Sequence, residues 1–122
     1  MKEFIKNMNH EEVLTLCEQI SVQPGQEVSK TLAQNPAVSV TLFAFDKGEE
    51  ISSHDSEGDA MVTVLEGQGE LTVDGKAYVL SEGETLIMPA KKPHSVYAKE
   101  SFKMLLLVVF PFEDNRDKSQ TL

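Results

Sequence analysis

Hydrophobic and polar residues alternate in short runs from residue 38 to residue 110, and glycine-containing turns separate the runs. Such runs, rich in β-branched and aromatic side chains, are typical of β-strands. The pair Asp74-Gly75, between two of these runs, is the strongest hairpin signal in the chain. Short strands at this spacing indicate a sandwich or a barrel. The predicted strands are 27–32, 38–45, 61–66, 69–73, 76–80, 85–88, 94–98 and 102–110.

The last predicted strand has apolar side chains at both odd and even positions from Met104 to Phe110. Because the side chains of a strand alternate between its two faces, we expect this strand to be buried on both faces. One face would lie against the interior of a barrel. The other would lie against a helix, a second sheet or a partner subunit.

The first 20 residues carry the best helix signal in the chain. Asn9 suits a helix N-cap, and Glu12 stands three residues after it, as in a capping box. Val13, Leu14 and Cys17 follow with the spacing of an apolar helix face. We therefore predict a short N-terminal helical segment ahead of the strands.

A chain of 122 residues fits one domain that is large enough to bury a hydrophobic core. We divide it into three parts. Residues 1–36 would hold the N-terminal helix and the first strand, packing on or extending the barrel. Residues 37–112 would form the barrel, and residues 113–122, which are polar, would form a C-terminal tail.

The balance of charges limits the partners of this chain. With 20 acidic and 11 basic residues its formal net charge is −9, so we expect no nucleic acid and no anionic membrane as a partner. The adjacent Lys91 and Lys92 would lie either in a solvated loop or at a pocket rim, where they would attract an anionic substrate.

Cysteine use and hydropathy bear on the compartment. The single Cys17 excludes an intrachain disulfide, which fits a reducing compartment. The longest apolar run is too short to span a bilayer, and the first residues lack the apolar core of a signal peptide. We therefore expect a cytoplasmic protein.

Two of the three histidines, His54 and His94, lie in the stretches 48–67 and 83–98, and each stretch begins with a glycine. We expect both imidazoles to point into one barrel interior and to mark the place of any chemistry. Imidazole nitrogen binds Zn, Cu, Ni and Fe, and it also serves as a general acid or base. The alternative is that both rings only form hydrogen bonds in a polar barrel mouth.

These two stretches resemble the paired motifs of the cupin superfamily. In the first motif, Gly48 is followed by five residues and His54, and the motif closes at Gly67. Ser56 stands where the family has its second histidine, and Ala60 stands where it has a glutamate.

The second stretch keeps the spacing of the second cupin motif. Gly83 is followed by five residues and Pro89, and His94 keeps the family's histidine. Lys91 replaces the motif's glycine and Ala98 replaces its asparagine. The resemblance covers residues 38–110. It implies an all-β double-stranded β-helix, a jelly-roll-like barrel with its site in the barrel mouth, and it implies a homodimer.

In the cupin family a full metal site has three histidines and one glutamate around the metal ion. The resemblance therefore implies His54 and His94 as the metal ligands of this chain. We predict at most one weakly held divalent transition metal, one of Fe, Mn, Ni, Cu or Zn, and no organic cofactor. The function favoured is a small-molecule-binding barrel with this partial two-histidine metal site. The alternative is a metal-dependent oxygenase or isomerase acting on a small organic substrate.

Overall fold

The computed structural model describes residues 3–112, so the polar tail predicted at 113–122 lies outside the described residues. Residues 3–112 are nearly all β, and they contain no helix long and apolar enough to cross a membrane. The strands are β1 (Glu27–Gln34), β2 (Val38–Phe45), β3 (Glu50–His54), β4 (Asp59–Glu66), β5 (Gln68–Val73), β6 (Lys76–Ser81), β7 (Thr85–Met88), β8 (His94–Tyr97) and β9 (Phe102–Val109).

The strands form two antiparallel sheets that face each other. Sheet A has the order β1-β2-β9-β4-β7, and sheet B has the order β3-β8-β5-β6. The chain crosses between the sheets at every connection except β1–β2 and β5–β6, and together the sheets form the jelly-roll-like barrel that the cupin resemblance implied. The hairpin predicted at Asp74-Gly75 joins β5 and β6, and both of its turn residues have positive φ.

Strand β3 is absent from the predicted strands. Its residues Glu50 to His54 are mostly exposed, and Ile51 is its only apolar member, so the stretch shows no hydrophobic alternation. Pairing with β8 holds it in the sheet instead. Long-range pairing of this kind leaves no signal in the local sequence.

The N-terminal helix prediction is wrong apart from one turn. Only Leu16–Glu18 is helical, as a 3-10 turn. Asn7 and Glu11 both have positive φ, which a right-handed helix does not allow. The Asn9 amide donates to the Glu12 carboxylate at 2.7 Å, so the two side chains bond each other rather than capping backbone N–H groups.

The N-terminal segment packs irregularly on the outer face of sheet A. Ile20 is buried there with Leu32 and Leu42, and Met8 and Leu16 pack around them. Two ammonium groups fasten the segment: Lys30 donates to the carbonyl oxygen of Gln19 at 3.0 Å, and Lys103 donates to that of Cys17 at 2.6 Å. The lysine side chain at 103 is only 13% exposed.

Strand β9 is covered on both faces near its start, as its sequence pattern predicted. Phe102 and Met104 point into the barrel, while Leu105 packs under the N-terminal segment on the outer face. Farther along the outer face of sheet A the cover ends, and Ile87 and Val109 are 53% and 56% exposed.

Aromatic rings fill one end of the barrel interior, where β2 ends and β9 begins. Phe45 of sheet A stacks on Phe102 with ring centroids 4.7 Å apart and an interplanar angle of 2°, and both residues are fully buried. Gly69 of β5 lies directly against the Phe102 ring. A Cβ atom at position 69 would be 2.5 Å from Cε2 of Phe102, which leaves no room for any side chain.

Candidate functional site

Pairing of β3 with β8 brings the two histidines of the cupin-like stretches into contact. His54 and His94 are direct partners in the antiparallel register, so their side chains lie on the same face of sheet B. Their ring centroids are 4.4 Å apart, and the rings meet edge to face at 68°. The fold therefore brings together two imidazoles that are 40 positions apart in sequence.

The pair lies at the mouth of the barrel. His94 is 5% exposed and shares its strand face with the core residues Val96 and Ala98. His54 is exposed. The expectation that both rings point into the interior therefore fits His94, whereas His54 lies at the solvent edge of the same face.

Hydrogen bonds fix which nitrogen of each ring is available. Nδ1 of His54 is 2.9 Å from the carbonyl oxygen of Ser52, and Nδ1 of His94 is 3.1 Å from that of Lys92. A carbonyl oxygen only accepts hydrogen bonds, so each Nδ1 carries the proton. In the neutral rings Nε2 then keeps its lone pair, the arrangement found in histidines that bind metals or accept a ligand's hydrogen bond.

Ser56, at the second-histidine position, stabilises the loops around the site. Its hydroxyl accepts the N–H of Gly58 at 3.1 Å, and the Ser56 backbone carbonyl accepts the N–H of Lys91 at 2.7 Å. Lys91 has φ +66°, so the residue that replaces the motif's glycine still adopts the glycine-like conformation. That conformation costs a non-glycine residue about 1–2 kcal/mol.

Two carboxylates close to the pair in sequence, those of Asp59 and Glu57, are directed elsewhere. Ala60, at the family's glutamate position, is 1% exposed and faces the core. Its neighbour Asp59 is exposed and accepts the N–H of Ala90 at 2.8 Å, which ties β4 to the loop before β8. Glu57 is 4.0 Å from the ammonium of Lys91, and both side chains are exposed.

The donor set does not fit the four-ligand metal centre of the cupin motifs. Between residues 3 and 112, no three side chains of His, Cys, Asp or Glu come together in an arrangement that could hold a metal ion. Catalytic metal sites usually have three protein ligands and one open position. The imidazole pair provides two donors.

Sequence and structure comparisons identify the family. A family model described as a cupin domain matches residues 41–110, more than half of the chain. The chain belongs to the cupin family. Among solved structures, this cupin is similar to a conserved protein of unknown function from Streptococcus pyogenes, with 45% identity and a TM-score of 0.89. That match covers 92% of this chain and 98% of the other.

Two further relatives are informative about the family and not about a reaction. A cupin superfamily protein from Desulfitobacterium hafniense is 33% identical with a TM-score of 0.84, covering 88% of this chain and 98% of that one. An uncharacterised protein from Aquifex aeolicus is 31% identical over 86 residues, which is 70% of each chain. The cupin fold hosts many functions, so the site must carry the functional argument.

The environment of His94 makes its pKa testable. Burial lowers the pKa of His94 below its usual 6.5, and repulsion from His54 acts in the same direction, against the opposing effects of the Lys92 carbonyl and Asp55. We expect the side-chain ¹H–¹³C signals of His94 to titrate below pH 6.5 in NMR spectra of the folded protein. Protonation at or above 6.5 would contradict this placement of the ring.

The same shift has a consequence for stability. As pH falls from 7.5 through 6.5, His94 of the unfolded chain gains a proton before His94 of the folded chain does, so the free energy of unfolding falls. Above 6.5 both states are neutral and this loss is absent. The variant His94→Gln should lose less stability than the wild type between pH 7.5 and the lower pKa, as measured by urea unfolding.

A second concave surface lies between β6 and β7, with a volume of about 350 Å³. Lys76, Tyr78 and Lys92 line it. Of the two places predicted for the Lys91-Lys92 pair, Lys92 takes the pocket rim and Lys91 the solvated loop. The sequence did not predict this cleft. Its lining residues come from the β5–β6 hairpin, from β7 and from the loop before β8, which only the tertiary fold brings together.

Proposed function

We propose that this cupin binds a small organic molecule at the barrel mouth, with Nε2 of His54 and His94 as its polar anchors. The observation that carries the proposal is the contact between the two rings together with the commitment of both Nδ1 atoms to backbone carbonyls. When neutral, each ring held in this way keeps Nε2 as a hydrogen-bond acceptor, and the two rings are in contact. The ligand is therefore expected to bring a hydroxyl or N–H donor.

The site is suited to modest affinity. His54 is exposed, so a ligand at the pair remains partly solvated, and the net gain from each hydrogen bond is about 0.5–1.5 kcal/mol. The interior of the barrel is filled by one continuous core of packed side chains, which includes Val96 and Val108 as well as Phe45 and Phe102. We therefore propose binding for sensing, sequestration or an accessory role, rather than turnover of a substrate enclosed in the barrel.

The residues that would hold a divalent transition ion here are His54 and His94. Such an ion would supply a Lewis acid to a bound ligand. Dioxygen chemistry needs a firmly held redox metal, and two imidazoles are a poor basis for it. The metal-dependent oxygenase or isomerase therefore stays the second candidate, and the predicted homodimer and cytoplasmic location stay predictions.

The test uses phenol and anisole, which differ in a hydrogen-bond donor. In NMR titrations of the ¹³C-labelled protein, phenol should move the side-chain signals of His54 and His94. It should bind on the order of tenfold more tightly than anisole, the value of one hydrogen bond. His54→Ala and His94→Ala should each remove this preference. His10→Ala is the matched control, because His10 is exposed and bonds the Ile5 carbonyl in the N-terminal segment.

Metal content separates the two candidates. Protein purified without a histidine tag should carry much less than one equivalent of any transition metal by elemental mass spectrometry. A near-stoichiometric metal that disappears in both His54→Ala and His94→Ala would overturn the binding proposal in favour of the metal-dependent enzyme. Equal affinity for phenol and anisole would also count against the anchor role of the rings.

A further inference from the structure

The cleft between β6 and β7 is formed by the open edges of the two sheets. Strand β6 ends sheet B and β7 ends sheet A, so each has one side without a strand partner among the described residues. The gap between them encloses about 350 Å³, which is within the range of small-molecule pockets. Neither His54 nor His94 lines it, so this surface is distinct from the imidazole pair.

The floor of the cleft is apolar. Val73 is 9% exposed, and Tyr78 and Leu86 are partly buried against the barrel core. All three occupy positions of their strands that face the space between the sheets, and Pro89 closes one side. A flat apolar body would lie against the Tyr78 ring and gain contact area without leaving polar groups unpaired.

The rim of the cleft is cationic in an acidic protein. The Lys76 ammonium lies over the Tyr78 ring, 5.1 Å from its centroid, and no carboxylate pairs with it among the ion pairs of residues 3–112. Lys92 reaches Asp74 at 4.0 Å, where both side chains are more than half exposed. Two ammonium groups thus face one loosely paired carboxylate, while the chain as a whole has a net charge of −9.

The other lysines of these loops do not contribute to the rim. Lys91 is paired with Glu57, and Lys99 is paired with Glu70 at 3.5 Å. The local excess of positive charge at the cleft therefore comes from Lys76 and Lys92. These two residues are 16 positions apart in sequence, and the fold brings them to the same rim.

We propose that the β6–β7 cleft is a binding site for a small organic anion with an apolar, preferably aromatic, body. The anionic group lies between the ammonium groups of Lys76 and Lys92, and the body packs on Tyr78 and Leu86. The proposal does not rest on the histidine pair. Asp74 competes with the anion for Lys92 and so keeps the affinity low.

Benzoate and benzamide are matched probes, because they have the same shape and differ in charge. In ¹H–¹⁵N spectra, benzoate should shift the amide signals of residues 73–78 and 86–92, and benzamide should bind more weakly. Lys76→Gln and Lys92→Gln should each weaken benzoate about two- to fivefold, as expected for exposed charges. Lys91→Gln and Lys99→Gln are the matched controls and should leave benzoate affinity unchanged.

Asp74→Asn tests whether positive charge at the rim attracts the anion. Removing this carboxylate frees Lys92, so benzoate should bind more tightly to the variant, and the gain should shrink at high salt. Weaker binding to Asp74→Asn, equal binding of benzoate and benzamide, or an equal loss in Lys91→Gln and Lys92→Gln would each overturn the proposal. So would the absence of any benzoate-dependent shift at these amides, whatever phenol does at the histidine signals.

Discussion

Phe102→Ala is expected to lower the free energy of unfolding by about 3–5 kcal/mol, the range for deleting a buried phenylalanine ring. Phe102 is fully buried in the core of the barrel, and its ring stacks on that of Phe45 with centroids 4.7 Å apart. The corresponding fall in melting temperature for a chain of this size is roughly 12–20 °C. Urea unfolding followed by circular dichroism measures the change, and Phe4→Ala, which removes an 81% exposed ring, is the control.

Gly69 offers a sharper test of the same packing. In the wild type, Gly69→Ala should destabilise the barrel by about 1–3 kcal/mol, because the new methyl group would clash with the Phe102 ring. In the Phe102→Ala background the ring is gone, so the same substitution should be neutral or stabilising. Additive effects in this double-mutant cycle would contradict the contact.

The second large effect concerns metal affinity. The double substitution Ser56→His and Ala60→Glu restores the ligand types that the cupin motifs have at these two positions. We expect it to raise affinity for Zn²⁺ or Ni²⁺ by at least about 10–100-fold. A loss of that size follows when a metal ligand loses only its hydrogen-bond partner, so adding two ligands should change the affinity at least as much. Wild-type protein should bind these ions weakly, since no group of three metal-donor side chains comes together between residues 3 and 112.

The thermodynamic signature of this variant is specific. Without metal, the buried position of Ala60 makes the new carboxylate unfavourable, so the variant should melt below the wild type. With metal at a hundred times its dissociation constant, it should regain about 2.7 kcal/mol. Adding His94→Ala to the variant should abolish that recovery. If the ions raise the melting temperature of wild type and variant equally, position 60 does not face a metal site.

The sequence predicted the parts of this fold that depend on local patterns. Alternating apolar runs located the strands of the core, and the Asp74-Gly75 turn located its hairpin within one residue. Strand β3 was not predicted, because it is polar and exposed and only its pairing with β8 orders it. The N-terminal segment failed as a helix because tertiary burial of Ile20, Met8 and Leu16 outweighed its local propensity.

The candidate site was likewise predictable only as far as it depends on local sequence motifs. Motif spacing identified His54 and His94, and the register of β3 and β8 places them together. The spacing does not reveal that both Nδ1 atoms bond backbone carbonyls two residues earlier, since that depends on side-chain geometry. Nor does it reveal the β6–β7 cleft, whose charged residues belong to separate strands and loops.

The stacked rings of Phe45 and Phe102 also bear on the rates of ligand exchange. Because these rings belong to a continuous core that fills the barrel interior, a ligand meets the imidazole pair or the cleft from solvent and displaces no interior residue. Its association rate should then be set by diffusion, and modest affinity should appear as rapid dissociation. Bound and free protein would interconvert fast enough for NMR signals to move as population averages during a titration, where a buried chamber would give two separate sets of peaks.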